Sequence, residues 1–446
     1  MAGKKTQARL TPEEKLQQAL VPEAEQPYKV PANWCWTRLG NVCRFESGFA
    51  FKSEYFNKDN GIPVVRISDI KENEVILDNC IFTTELNIDE KFIIRNGDLL
   101  IAMSGATTGK NGIFKSDKIA YLNQRVGNIK VIDNNVIKEL YRNYYIMNKS
   151  GEILKAAYGG AQPNISSSKI SLMVFPLPPH AEQQRIVERI ESLFAKLDEA
   201  KENLQNVLDG FETRKAAILR KAFTGELTAN WRKQHGISMD SWEMCEFNQI
   251  GDIKTNLVNP IDFQSYPHIA PDNIEKKTGK LLYYNSVAED NVKSGKHRFY
   301  AGQILYSKIR PYLSKVIIAE FDGLCSADMY PIEAKGNTRF LWYYMLSEHF
   351  VYQASTAGSR TVLPKINQKE LSKLKINMPT LSEQTEIVRI IDDLLAKEQQ
   401  AKELAENALA KVDLIKKAIL AHAFRGELGT NNPADEPAVE LLKRVL

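Results

Sequence analysis

The chain has 446 residues, 59 Lys and Arg against 55 Asp and Glu, 43% hydrophobic and 26% charged residues. This is the make-up of folded protein spread over two to four domains, and it excludes disordered and collagen-like classes. With no run of eighteen apolar residues and no apolar stretch at the N-terminus, the sequence predicts a cytoplasmic protein without a membrane span.

Residues 1–30 read as a polar arm, with Thr11 capping a short helix that runs to Leu20 and Pro12 at its first position. From 31 to 178 short apolar runs alternate with turn residues: Ile62–Ile67, Gly97–Ala102 and Val126–Ile132, with one helical stretch around Tyr141–Lys155. This predicts a mixed, mostly β domain. Residues 179–230 then read as a long helical spacer, 231–379 as a second domain of the same type, and 380–446 as a second helical spacer with a tail. The fold class expected is therefore α+β, with two β-rich domains, two long helices and an internal repeat.

The repeat is strongest in the helices. Glu182-Gln183 returns as Glu383-Gln384, and Ala222-Phe223-Thr224-Gly225-Glu226-Leu227 returns as Ala423-Phe424-Arg425-Gly426-Glu427-Leu428, both at an offset of 201. In the first copy Ile186, Ile190, Leu193, Leu197, Ala200, Leu204, Val207, Phe211 and Ile218 follow alternating spacings of four and three, the seam of a coiled coil. The second copy carries Ile387, Ile391, Leu394, Ala401, Ala408, Val412, Ile415 and Ile419, interrupted by Glu398. Each copy predicts one helix of roughly 44 residues, about 66 Å long at ~1.5 Å per residue, ended by Gly225 or Gly426. A rod of that length cannot bury its own stripe, so an antiparallel pairing of the two is expected. The domains repeat only in frame: Asn33-Trp34 matches Ser241-Trp242, Gly97–Leu100 matches Gly302–Leu305, and Pro163 and Ile165 match Pro364 and Ile366.

Catalytic constellations are missing. Gly105-Ala106-Thr107-Thr108-Gly109-Lys110 resembles a phosphate loop, but only three residues separate its glycines and Asn111 stands where Ser or Thr is required. Asp322 with Glu333-Ala334-Lys335 imitates a nuclease set at a spacing that arises by chance. The histidines show no metal-ligand spacing, and the five cysteines show no CxxC, so no metal is expected. What remains is binding chemistry in polar loops: Lys110, Asn123, Gln124, Arg125, Gln162 and Asn164 in the first domain, and Lys308, Arg310, Tyr312, Lys315 and Arg360 in the second. These side-chain types read base edges and grip phosphates. The net charge of +4 permits such a partner without demanding it.

The Trp34 entry, the Pro-Leu-Pro-Pro run into Glu-Gln-Gln-Arg-Ile-Val, the Ala-Phe-Thr-Gly-Glu-Leu ending and their second cycle resemble the specificity subunit of type I restriction-modification enzymes. The resemblance implies two target-recognition domains, each binding half of a split site on double-stranded DNA, held apart by antiparallel helices. It implies two modification (methyltransferase) subunits docking on the rods, with restriction/translocase subunits outside them. S-adenosylmethionine, ATP and Mg would belong to those partners and no cofactor to this chain, a non-catalytic subunit. The rival readings are a nuclease or methyltransferase with fused specificity, and a coiled-coil scaffold without DNA affinity.

Overall fold

The structure, a computed structural model, describes residues 10–71, 73–85, 88–158, 163–357 and 364–446. Gln162 and Arg360 lie outside them. The chain divides into two compact units, residues 1–202 with 409–446, and residues 203–408.

In the first unit, a six-stranded sheet is built around Leu99–Ala102 and Val126–Val131, and a five-stranded sheet around Ile62–Val65 and Ala120–Leu122. Leu99-Leu100-Ile101-Ala102 is buried along its whole length, as expected of a short apolar run placed mid-sheet. Leu100, Ala102, Val65, Leu122 and Phe114 make one core; a second holds the helix Glu139–Ala157 together with Ile186, Ile190 and Phe424. Phe424 packs edge-on against Tyr141 and Tyr145, ring centroids 5.4 and 5.3 Å apart. The arm helix Pro12–Ala19 carries a Thr11–Glu14 capping box.

The second unit repeats this plan with a four-stranded sheet around Ile304–Ser307 and Met329–Ala334, and a five-stranded sheet around Gly323–Cys325. Phe223 packs on Phe340 and Tyr344 as Phe424 does in the first unit. The helix opposite Glu139–Ala157 is split here into Thr338–Leu346 and Glu348–Thr356, because the Ser347 side chain caps Phe350 N–H.

Within each unit the two long helices run antiparallel. In the first, Lys416 Nζ lies 2.5 Å from Asp198 Oδ1; in the second, Arg214 Nε donates to Glu398 Oε2 at 2.7 Å. The second rod is one helix, Leu381–Phe424. The first is not: it comprises His180–Asp209 and Phe211–Phe223, joined at Gly210. A Cβ at Gly210 would collide with the Arg214 guanidinium, which turns back to donate to Val207 O at 2.9 Å while reaching Glu398. The missing Cβ at Gly210, whose backbone itself stays helical, thus makes room for the arginine that answers the Glu398 flaw in the seam.

The seam itself needs correction. Ile415 is 44% exposed and Val207 37% exposed, and Ala200 and Ala401 are exposed too. The second rod steps from buried Val412 to half-buried Lys416, whose Nζ lies 5.1 Å from the Phe194 ring centroid. Leu193, Leu197, Leu204, Phe211, Leu394 and Ile419 are half-buried. Ile186, Ile190, Ile387 and Ile391 are fully buried, but in the domain cores beside the aromatic clusters rather than on a helix–helix seam alone.

Each rod starts on a buried carboxylate. Glu182 accepts from Trp34 Nε1–H and Asn431 Nδ2–H, both at 2.7 Å. Glu383 accepts from Trp242 Nε1–H at 2.9 Å, from the Thr228 hydroxyl at 2.6 Å and from the Arg232 guanidinium. Glu383→Ala should destabilise its unit by about 3–5 kcal/mol, because Arg232 is left buried without its counter-charge. Glu182→Gln, which strands no cation, should cost about 1–3 kcal/mol. Urea unfolding of both variants checks the difference; equal losses would mean that the Arg232 charge is not what separates the two sites.

Candidate nucleic-acid interface

In the first unit, the buried strand Leu99–Ala102 and strand Asn111–Ile113 form a hairpin. Its turn, Ser104–Lys110, needs left-handed backbone at Gly105 (φ +79°) and Gly109 (φ +86°). Two other segments are stitched to this turn. Met103 N–H donates to Arg125 O at 2.9 Å, and Met103 O accepts from Ile165 N–H at 2.9 Å. Gly105 N–H donates to Pro163 O at 3.0 Å, and Ser104 bridges Asn164. The turn Asn123–Arg125 is held by Val126 N–H on Asn123 O at 2.8 Å. Lys110, Asn123, Gln124, Arg125 and Asn164 therefore belong to one three-segment junction.

The second unit contains the same junction. Lys308 N–H donates to Asp328 O at 2.9 Å, Lys308 O accepts from Ile366 N–H at 3.0 Å, and Arg310 N–H donates to Pro364 O at 2.7 Å. Ile309 bridges Lys365. Both hairpins close alike, Ala102 N–H on Lys110 O at 2.8 Å and Ser307 N–H on Lys315 O at 3.0 Å. These bonds equate Met103 with Lys308, Gly105 with Arg310, Lys110 with Lys315, Arg125 with Asp328, and Asn164 with Lys365. Where the first turn uses two glycines, the second holds Arg310 (φ +48°) and Ser314 (φ +47°) in the left-handed region, which disfavours side chains with a Cβ.

The expected residues differ in how free they are. Among the described residues the side chains of Lys110, Gln124, Arg125, Arg310 and Tyr312 have no hydrogen-bond or ion-pair partner, and all five are exposed. Lys308 and Lys315 are committed internally. Lys308 Nζ donates to Ala327 O at 2.5 Å and lies 5.2 Å from the Tyr330 ring centroid; Lys315 Nζ donates to Pro271 O at 2.7 Å. Burial holds Lys308 below the ordinary lysine range, reinforced by Lys365 and opposed by Asp328. Burial and Lys308 likewise lower His297.

Two junction residues were missed from the sequence. Lys365, whose Nζ lies 2.8 Å from Asp328 Oδ1, sits between Pro364 and Ile366 at the offset that matches Asn164, and that register was a usable signal. Asp328 lies across loops of unequal length from Arg125, and only the hydrogen bonds align the two.

The other chemical candidates dissolve. The glycine loop at Gly105 joins two strands, whereas a phosphate loop leads into a helix. Asp322 accepts from Ala301 N–H, Glu333 pairs with Lys254, and Lys335 pairs with Asp252. No group of three His, Cys, Asp or Glu able to hold a metal occurs among the described residues. Burial pushes the Cys35 and Cys43 thiols up to about 12, the opposite of a reactive thiolate.

Comparison with known proteins gives a family model, the type I restriction modification DNA specificity domain, matching residues 31–209 and 239–407. The Escherichia coli type I restriction enzyme EcoDI specificity subunit is 39% identical over 328 residues, covering 69% of this chain and 74% of that one. The EcoBI specificity subunit, also of Escherichia coli, is 25% identical over 431 residues, covering 91% and 88%. In fold, the chain is similar to the crystal structure of the HsdS subunit from Thermoanaerobacter tengcongensis, with a TM-score of 0.63 at 18% identity over 91% of this chain and all of that one.

Lys308 occupies the place of Met103, so Lys308→Met should fold with a stability change of about 1 kcal/mol or less at neutral pH. Its pH dependence has a defined sign. A lysine whose folded pKa is depressed binds its proton less well in the folded state, so the wild type gains stability as pH rises through that pKa. Lys308→Met should lack this gain, as equilibrium unfolding at neutral and alkaline pH will show.

Proposed function

Because the chain belongs to the type I restriction-modification DNA specificity family, we propose that its two three-segment junctions are the surfaces that read DNA, one for each half of a two-part target. The protein is the non-catalytic specificity subunit of a restriction-modification system, and DNA and the modification and restriction subunits are its partners. Residues 31–178 and 231–379 serve as the recognition domains, and the helical segments 179–230 and 380–446 carry two modification subunits, with restriction subunits joining outside. S-adenosylmethionine, ATP and Mg act on those subunits, and the complex works in the cytoplasm, where its DNA lies. Among the described residues no helix is long and apolar enough to cross a membrane.

The observation that carries this reading is Arg310. Its backbone is held left-handed where the first domain uses glycine, and its guanidinium has no partner among the described residues. A non-glycine residue in that conformation costs of order 1–3 kcal/mol, and such strain gathers where a side chain is needed for something other than folding. An exposed arginine beside Tyr312 on a rigid turn suits bidentate contact with guanine. Lys110, exposed at the matching hairpin, suits a phosphate.

Arg310→Gly separates the roles. It should leave the protein at least as stable, since glycine relieves the strain, while relaxing preference at one base position by about 1–3 kcal/mol. Lys110→Ala should weaken binding evenly across sequences and reduce the slope of log affinity against log salt by about 1. Exchanging residues 240–379 for a relative's equivalent should change one half-site and leave the other. These are read with the assembled modification complex on duplexes of its mapped target. An Arg310→Gly protein that melts earlier and keeps full base preference would make Arg310 structural.

A further inference from the structure

Arg125 and Asp328 occupy one position in two copies of one framework. Each lies within a turn closed in the same way, Val126 N–H on Asn123 O and Met329 N–H on Ser326 O. Each contributes its backbone carbonyl to the residue that opens the hairpin turn, Met103 or Lys308. Only the side chains differ, and they differ in kind: a guanidinium donates hydrogen bonds and a carboxylate accepts them.

Asp328 is also set up as an acceptor. Its Oδ1 takes the Lys365 ammonium at 2.8 Å and has Lys308 Nζ at 3.9 Å. Oδ2 has no partner among the described residues, and the side chain is 44% exposed. The Lys365 hydrogen bond holds Oδ1, with the Lys308 charge nearby, and leaves Oδ2 uncommitted among the described residues. The two lysines also offset the repulsion that an acidic group would feel beside a phosphate backbone. The preceding residue is the small Ala327, where the first domain carries exposed Gln124.

We infer that Asp328 is a specificity-determining residue of opposite sense to Arg125: it accepts a hydrogen bond from the exocyclic amine of cytosine or adenine, where Arg125 donates to guanine N7 and O6. The inference rests on the junctions being the DNA-reading surfaces. It predicts that the half-site of the second domain contains an amine-bearing base at a position whose counterpart in the other half is guanine.

The test uses the full chain assembled with its modification subunits and duplexes carrying every base pair at each position of the mapped target. Asp328→Ala, which removes the acceptor altogether, should flatten preference at one position of one half-site, with discrimination falling roughly tenfold or more, and Arg125→Ala should do the same at a guanine of the other half. Lys365→Met breaks the same ion pair but keeps the carboxylate, so it should retain the preference for the amine-bearing base. If Lys365→Met flattens that position as fully as Asp328→Ala, the effect is loss of the ion pair and the inference fails. If Asp328→Ala changes no preference while Arg310→Gly does, the inference fails and the interface reading stands. If neither variant changes any preference, both are wrong.

Discussion

The organisation of each unit depends on one buried carboxylate at the start of a long helix. Glu182 and Glu383 are fully inaccessible to solvent, and a carboxylate in such a place must have its acceptor sites filled. The first donor is local to the domain: the indole of Trp34 or Trp242, just ahead of the first β-strand. The second comes from the segment that follows the other helix, Asn431 in one unit and Thr228 with Arg232 in the other. One side chain thus ties together a domain entrance, a helix start and the end of the opposite helix. The next residue extends the tie. Gln183 Oε1 accepts from Lys138 N–H at 2.8 Å and Gln384 Oε1 from Asn337 N–H at 3.2 Å, just ahead of the domain helices. This is why Glu-Gln returns at an offset of 201 while neighbouring exposed positions drift.

The rods were legible because burial on a helix imposes a period that side-chain chemistry cannot hide, and the Trp, Glu-Gln and Ala-Phe-x-Gly-Glu-Leu positions were legible because they repeat. What was not legible depends on partners far away in sequence. Arg214 does not read as a seam residue until Glu398 is seen to need it, and Gly210 does not read as a helix break until Arg214 is seen folding back over it. Ile415 fits the spacing yet stays exposed, while the aliphatic stem of Lys416 lies inward and its ammonium reaches Asp198. A seam drawn from hydrophobicity alone chooses the isoleucine.

The loops show the same limit from another side. Residue type selected Lys308 and Lys315 along with Arg310, but nothing local distinguishes a lysine bound to a carbonyl from one that is free. The junctions align at offsets of 205, 203 and 201 for their three segments, so a single register across the domains cannot pair Arg125 with Asp328. The backbone hydrogen bonds can, since they are made by groups that every residue carries. A framework held by main-chain bonds leaves its outward side chains largely free to change, and a change from Arg to Asp at one position then alters the chemistry presented with little effect on what is folded.

The left-handed pair at Arg310 and Ser314 shows how such a turn is kept rigid without glycine. Pro311, buried between them, has its φ set by its ring. Arg310 N–H is bound to Pro364 O, Leu313 N–H returns to Arg310 O at 2.9 Å, and the buried Ser314 hydroxyl faces Met345 O at 3.4 Å. The turn is thus fixed from both ends and from beneath, and the surrounding packing offsets the strain of two unfavourable φ values. A backbone fixed in this way has already lost the conformational entropy that binding would otherwise remove, so the contacts its outward side chains make with a partner count more fully toward affinity and discrimination. In the first domain the same geometry is reached with Gly105 and Gly109, whose greater freedom in the unfolded chain makes ordering them more costly. The second domain trades that cost for local strain and gains an arginine at the tip.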